Sequence, residues 1–534
     1  MIVNLNYQKK YYLLYTGFLA LLLLMLFVYH FKLIVFPYPL EYREGAIVQT
    51  TQVLLKGENP YSLINQPQDT NCYGILFNLI AYPVSKITGA NLFSHRAITG
   101  FFIIAACFVA FLFTKKRKLS PFLSILLILL LYASLLVNQT VQARPDSLGL
   151  FILLLAFYIP LKFEYSYSSI FIGALIGFLA LFTKSYYLLF FPLLGSYLFL
   201  FVSKKKGLIF SFASFLFFSL VIFTIDNFIL PTYIADCLFI HMNVASYSVN
   251  YVLSQFKYYI ISYTPVILTL SLIILSLYLK NEEKVKHLFI SFNFVKKSIE
   301  NINLIRLNEP LFLKKIYSIY YYLVIITLVL YFKMAGHHGA QMTYFYQLLS
   351  PFFMLAAVEL FSKEKESFNL LFLIGVLNIV FFFYKVLPHY SVSDVKKEWE
   401  VIENIVRDNN NILNNPAVVS IMVDYNRKIY DNGHSEYFIF SKTPENLEFI
   451  PYFVKTDKMV IDRINSFRSE ISSLVARKKF DIIMLPNGYD SGRDEFISDS
   501  LLKSNYIFSD VIRAPTPHNH ENWKIEIWKP RNNK

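Results

Sequence analysis

Charge is scarce in this chain, and cysteine and tryptophan are nearly absent. Charged residues make up 16% of the 534 positions, against about 25% in soluble globular domains. The shortfall is uneven. Apolar runs of about 15 to 26 residues fill the first 385 positions, while the last 150 or so read as ordinary soluble sequence. The three cysteines, Cys72, Cys107 and Cys237, are too few and too scattered for a disulfide framework or a zinc site. The first apolar run, Tyr11–Phe36, lacks a small-residue cleavage site and is too long for a signal h-region, so a retained anchor is expected. An internal repeat is missing too, which argues against a transporter of inverted halves.

What is present is apolar length. Runs of about 20 residues cross a hydrocarbon core as helix, because lipid gives a free backbone group no partner. The expected spans are Tyr11–Phe36, Leu92–Thr114, Leu119–Val137, Ser147–Leu161, Ser169–Thr183, Ser185–Ser203, Gly207–Leu230, Ser254–Leu279, Ile316–Ala335, Met342–Phe361 and Phe368–Lys385. Cys72–Thr88 is short and carries Pro83, and is expected to lie on the membrane surface. The fold class is thus an α-helical polytopic membrane protein of about eleven transmembrane helices with a small C-terminal α/β soluble domain. Residues 1–387 form the membrane part, with an outer loop at 37–91, and 388–534 the soluble one.

The net charge of +14 sits largely in short loops, so topology explains it and no nucleic-acid partner is expected. Lys9, Lys10, the run Lys115–Lys118, Lys204–Lys206, the stretch Lys280–Lys315, Lys363 and Lys365 fall on one side, the cytoplasmic one. An odd number of spans then places the C-terminal domain outside, in a multi-pass plasma (inner) membrane protein. In that domain Val418–Val423 and Asp481–Leu485 read as buried strands, Ile461–Lys479 as a helix and Trp523–Trp528 as an edge strand. It holds no glycine-rich phosphate loop and no nucleophile elbow, and a lid or scaffold is its plainest role.

Polar residues at membrane depth are costly, so each is a candidate site. Glu41 and Glu44 follow the first span, ahead of an amphipathic stretch, Ala46–Leu55. Either carboxylate suits a general base; the competing reading is a solvated loop acid beside Arg43. Asp146 stands where it would cap the next helix, and Arg144 offers a planar fork of donors to a phosphate. Lys184, between two apolar runs, is a point charge for a lipid phosphate or a snorkelling turn residue. His337 and His338, followed by Tyr344 and Gln347, suit hydrogen bonding to phosphate or sugar; without a matching acid or histidine nearby they are not read as a metal site.

In order, spacing and common sidedness these segments resemble the GT-C superfamily of membrane glycosyltransferases, among them the protein O-mannosyltransferases and the lipid A aminoarabinose transferases. The matching segments are Glu41-Tyr-Arg-Glu44-Gly with Ala46–Leu55, Asn71–Phe77 to Tyr82-Pro83, Arg96, Arg144-Pro-Asp146, Thr183-Lys184 and Gly336–Pro351, over Tyr11 to Phe361. The family often has Asp-Glu where this chain has Arg43-Glu44. The resemblance implies a sugar carried on a polyprenyl phosphate and transferred, with inversion, to an extracytoplasmic glycan, lipid or protein. It implies Glu44 as base, with Glu41 and Asp146 orienting the acceptor or acting in its place. Arg144, Lys184, His337, His338 and Tyr344 would hold the donor phosphate. No cofactor is implied, and a divalent metal is compatible. The alternatives are a flippase for the lipid-linked sugar or a non-catalytic envelope assembly protein.

Overall fold

A computed structural model describes residues 2–136, 141–234, 236–237, 248–262, 318–334, 350–361, 392–434, 456–487, 497–515 and 522–531. The chain is mostly helical. The first helices are α1 (Ile2–Ile34), α2 (Glu44–Leu55), α3 (Leu76–Thr88), α4 (Leu92–Lys116), α5 (Pro121–Leu136), α6 (Asp146–Lys162) and α7 (Tyr167–Leu181). Then come α8 (Phe190–Tyr197), α9 (Lys204–Thr224), α10 (Val249–Ser262), α11 (Ile319–Met334) and α12 (Ser350–Phe361). Among the described residues four helical stretches are long and apolar enough to cross a membrane: Leu14–Ile34, Leu92–Lys116, Ser185–Val202 and Lys204–Ile229. Pro121–Leu136, Tyr167–Leu181 and Ser350–Glu359 are shorter and apolar. On α9, Leu208, Phe212, Phe215, Leu216 and Leu220 stand exposed. An outward apolar face of that size suits lipid and is costly in water.

The expected span Ser185–Ser203 is continuous but wound in three ways: 3₁₀ over Ser185–Leu189, α over Phe190–Tyr197 and π over Leu198–Val202. The expected span Phe368–Lys385 lies outside the described residues, as do most of Ser254–Leu279 and parts of Ile316–Ala335 and Met342–Phe361. Polar side chains mark helix starts. Asn91 accepts the Ser94 N–H at 2.9 Å to open α4, and Ser166 accepts the Ser169 N–H at 3.4 Å to open α7. The surface stretch expected over Cys72–Thr88 is the 13-residue α3, about 20 Å long at 1.5 Å per residue and too short to span.

The C-terminal residues give α13 (Val392–Asp408), α14 (Val419–Asp424), α15 (Thr456–Ala476), α16 (Asp499–Asn505) and one sheet of β1 (Ile412–Leu413), β2 (Ile482–Pro486), β3 (Tyr506–Pro515) and β4 (Asn522–Pro530). The strand order is β1-β2-β4-β3, with β1 and β2 parallel and the other pairs antiparallel. Phe467, Ile471 and Val475 of α15 are buried in one cluster with Ile483, Leu485 and Trp528 of the sheet.

Two expectations are corrected. Val418–Val423 is not a strand but the end of a 3₁₀ turn running into α14. Asn415 accepts the Ala417 N–H at 2.9 Å and Pro416 opens the turn, a helix start written into the sequence. A short apolar run cannot separate strand from buried helix. Trp523–Trp528 is not at an edge: β4 lies between β2 and β3.

The C-terminal residues pack directly on the loop after α1 and on α2. A Cβ on Gly45 of α2 would lie 2.6 Å from Val419 Cβ, so only glycine allows α14 this close. Tyr38 stacks on Trp399 of α13, with centroids 5.5 Å apart, and donates to Glu403 Oε2 at 2.9 Å.

Candidate active site

The site begins with a backbone pairing. Gly74 N–H donates to the Thr183 carbonyl and Leu76 N–H to the Phe182 carbonyl, both at 3.0 Å. A Cβ on Gly74 would run into the Phe182 carbonyl. This pairing lays the stretch before α3 against the Thr183-Lys184 turn and sets Tyr73 beside Lys184. The Lys184 Nζ lies 4.5 Å from the Tyr73 ring centre and 5.6 Å from that of Tyr186, within cation–π range.

The two outer-loop acids meet different surroundings. Glu44, fully buried, accepts four hydrogen bonds. Arg96 Nε at 2.8 Å and the Ala143 N–H at 2.6 Å reach Oε1. Arg96 Nη2 and the Leu40 N–H, both at 2.6 Å, reach Oε2. A carboxylate offers about four acceptor positions, and all four are taken. Arg96, itself fully buried, also donates to the carbonyls of Leu33, Phe36 and Tyr38. Leu33 lies in the last turn of α1, where a helix leaves carbonyls unpaired, and Phe36 and Tyr38 lie in the loop that follows.

Glu41 is also buried. Its Oε2 accepts the Arg43 N–H at 3.1 Å and a long contact from Arg144 Nη1 at 3.5 Å. Its Oε1 accepts no hydrogen bond among the described residues; the Arg43 guanidinium stands 3.8 Å away. Burial pushes the Glu41 carboxyl above the usual carboxylate range, against the pull of Arg144 and Arg43.

Arg144 joins this acid to the next. Its Nε lies 3.2 Å from Asp146 Oδ2, and its Nη2 donates to the Tyr73 hydroxyl. Asp146 Oδ1 takes the Lys184 ammonium and the Tyr186 hydroxyl at 3.4 Å. The expected capping role of Asp146 is corrected: the N-cap of α6 is Pro145, without a side-chain cap bond, and the Asp146 carboxylate goes to cations. Lys184 is not a snorkelling residue at the aqueous edge but is 6% exposed, and Arg144 only 2%. Burial, with Arg144 nearby, lowers the Lys184 ammonium to about 8 despite Asp146.

An apolar groove of about 600 Å³ opens beside this cluster, lined by Ser185, Tyr186, Leu188, Leu189, Phe191, Pro192, Ser211, Ser214, Phe215 and Phe218. Tyr186 belongs to both, since its hydroxyl contacts Asp146. The structure thus brings together Glu41, Arg144, Asp146 and Lys184, and sets Glu44 apart with Arg96. His337, His338, Tyr344 and Gln347 lie outside the described residues. Among the described residues no group of three or more His, Cys, Asp or Glu is placed to hold a metal. Sequence reasoning missed Tyr73 and Tyr186 as site members. The one signal for them was position: Tyr73 in the aromatic surface segment, Tyr186 two residues past Lys184.

No protein-family model matches the sequence, and no curated protein does. Among solved structures the chain is similar to ArnT from Cupriavidus metallidurans bound to undecaprenyl phosphate, at 12% identity and a TM-score of 0.44, over 90% of this chain and 84% of that one. A likeness of that degree decides neither fold nor activity, which rest on the residues described above.

Proposed function

We propose that this chain is a membrane glycosyltransferase that moves a sugar from a polyprenyl-phosphate donor to an extracytoplasmic acceptor. One observation carries the reading. Two buried cations, Arg144 and Lys184, and an acid with a carboxylate oxygen to spare, Glu41, gather around Asp146, which Tyr186 of the apolar groove contacts through its hydroxyl. Buried charges are expensive and mark function more often than stability. The donor is amphipathic in the same sense, with a phosphate head on an isoprenoid tail.

In this mechanism Arg144 and Lys184 receive the donor phosphate, and the groove beside Tyr186 takes the first isoprene units. The acceptor hydroxyl attacks the anomeric carbon from the face opposite the phosphate. Glu41 Oε1 takes the hydroxyl proton, the new glycosidic bond forms, and the bond from anomeric carbon to phosphate oxygen breaks. The polyprenyl phosphate leaves with the bonding pair, and the two cations balance its growing charge. A carboxyl raised by burial is a better-matched base near neutral pH than an ordinary one. The role of base therefore passes from Glu44, whose acceptor positions are filled, to Glu41. Glu44 holds the loop that carries it. Asp146 keeps Arg144 and Lys184 in place.

The test is purified protein in lipid nanodiscs with undecaprenyl phosphate bearing a labelled sugar. Release of label from the lipid, by transfer or by hydrolysis, is the expected result. Passage of the intact lipid across a vesicle membrane without release would favour a flippase and overturn the reading.

A further inference from the structure

The C-terminal part of the chain reaches the site at one point. Asn432 Nδ2 donates to the Thr70 carbonyl at 2.9 Å and sets residues 432–434 against the outer loop. There the fully buried His434 stands edge-on to Tyr73, with ring centroids 5.0 Å apart and planes at 86°. His434 Nδ1 accepts the Cys72 N–H at 3.5 Å, which places the proton of a neutral ring on Nε2. Two contacts from one residue therefore hold neighbouring residues, Cys72 through its backbone and Tyr73 through its ring.

Tyr73 is the part on which both site cations lean. Its hydroxyl accepts Arg144 Nη2. Its ring faces Lys184 Nζ at 4.5 Å and Arg144 Cζ at 5.2 Å. A swing of the side chain about its Cα–Cβ bond would take the hydroxyl from Arg144 and the π face from Lys184 together.

We infer that His434 is a positioning residue: it fixes Tyr73, and through Tyr73 the Arg144–Lys184 pair, in the arrangement that receives the donor phosphate. The inference rests on the reading of this site as the donor-phosphate site. The site is then completed from a residue 361 positions further along the chain, and the C-terminal part is a working piece of it.

The experiment uses the full chain in nanodiscs and undecaprenyl phosphate as the probe, with binding titration, donor kinetics and thermal unfolding read together. His434→Ala should weaken binding of undecaprenyl phosphate about tenfold, the size of one lost hydrogen bond with its packing. The donor KM should rise, with kcat at saturating donor little changed, and the thermal midpoint should fall only slightly, with the protein still folded. His434→Asn sets Oδ1 where Nδ1 stood, accepts the Cys72 N–H again and should recover most of the affinity. His434→Phe keeps the ring edge without the acceptor and should recover less. Should His434→Ala fail to fold, the Asn and Phe variants decide. Wild-type affinity in His434→Ala, or in His434→Phe where that comparison decides, would overturn the positioning role while leaving the reading of the site intact. A wild-type protein that binds no undecaprenyl phosphate overturns that reading, and this role with it.

Discussion

Glu41 and Glu44 stand one turn of chain apart, both buried, and only one of them has anything left to give. Around Glu44 every acceptor position is filled, and the Arg96–Glu44 pair joins the end of α1, through the Leu33 carbonyl on Arg96, to the loop after it and, through the Ala143 N–H on Glu44, to the segment before α6. Around Glu41 the contacts from the two guanidinium groups are long, 3.5 and 3.8 Å, and one oxygen accepts no hydrogen bond among the described residues. Buried polar groups in proteins are nearly always satisfied. A satisfied cluster stabilises, whereas on the reading proposed above the under-satisfied one beside two cations receives a ligand. On that reading the difference separates a latch from a site within four residues.

The predictions set these two clusters against each other. The largest effect belongs to the latch. Arg96→Met leaves Glu44 buried without its partner, and breaking such a pair costs about 3 to 5 kcal/mol. A fall in the thermal midpoint, or loss of the monodisperse peak on size exclusion, is the expected result.

At the site the loss should appear in ligand binding. Arg144→Ala and Lys184→Ala should each weaken undecaprenyl phosphate binding by about 2 to 5 kcal/mol, read by titration. Both residues are buried, so these variants also disturb the fold around Asp146, and Lys184→Arg, which keeps the charge, is the control. Equal affinity in all three would remove the cations from the site.

A smaller effect follows from acidity. Lys184 has its ammonium lowered from 10.5 to about 8, so it loses its proton as pH rises through about 8. Donor binding should then weaken above that pH, by at most about tenfold per unit, and Lys184→Arg should flatten the profile. Smallest is the groove. Ser214→Phe fills its wall and should cost about 1 to 2 kcal/mol of affinity for a long-chain lipid. A short-chain analogue too brief to reach the wall should be unaffected, and the comparison between the two lipids is the measurement.

Much of this was legible in the sequence, and the parts that were not have physical causes. Apolar length gave the described helices, and Pro83 with the short run gave α3, a helix too short to span. Residue type and position singled out Glu41, Arg144, Asp146 and Lys184, which the structure brings into contact, because charges next to apolar runs are rare enough to stand out. What spacing could not show is which acid faces which cation. Arg96 lies 52 positions from Glu44 and Lys184 lies 38 from Asp146, and no local pattern links them. The expectation of Glu44 as base came from its place before an amphipathic helix, which fits a latch equally well. Val418–Val423 was misread because an apolar hexamer has no period that separates strand from helix; the Asn415-Pro416 start was the better signal. His434 could not be found by position at all, since its partners lie near residue 72.

The central claim is that Glu41 works and Glu44 holds, and one side-by-side measurement tests it: turnover and thermal midpoint of Glu41→Gln and Glu44→Gln on the labelled lipid-linked sugar. Glu41→Gln should lose about 10² to 10⁴ in turnover while binding donor normally. Because burial raises the Glu41 carboxyl, the folded state holds its proton more tightly than the unfolded one and the group costs stability as pH rises above its ordinary carboxylate range, so the variant should melt no lower than wild type at neutral pH. Glu44→Gln should melt lower, and the fraction that remains folded should keep turnover within about tenfold of wild type. Full turnover in Glu41→Gln, together with a stable but inactive Glu44→Gln, would contradict the account.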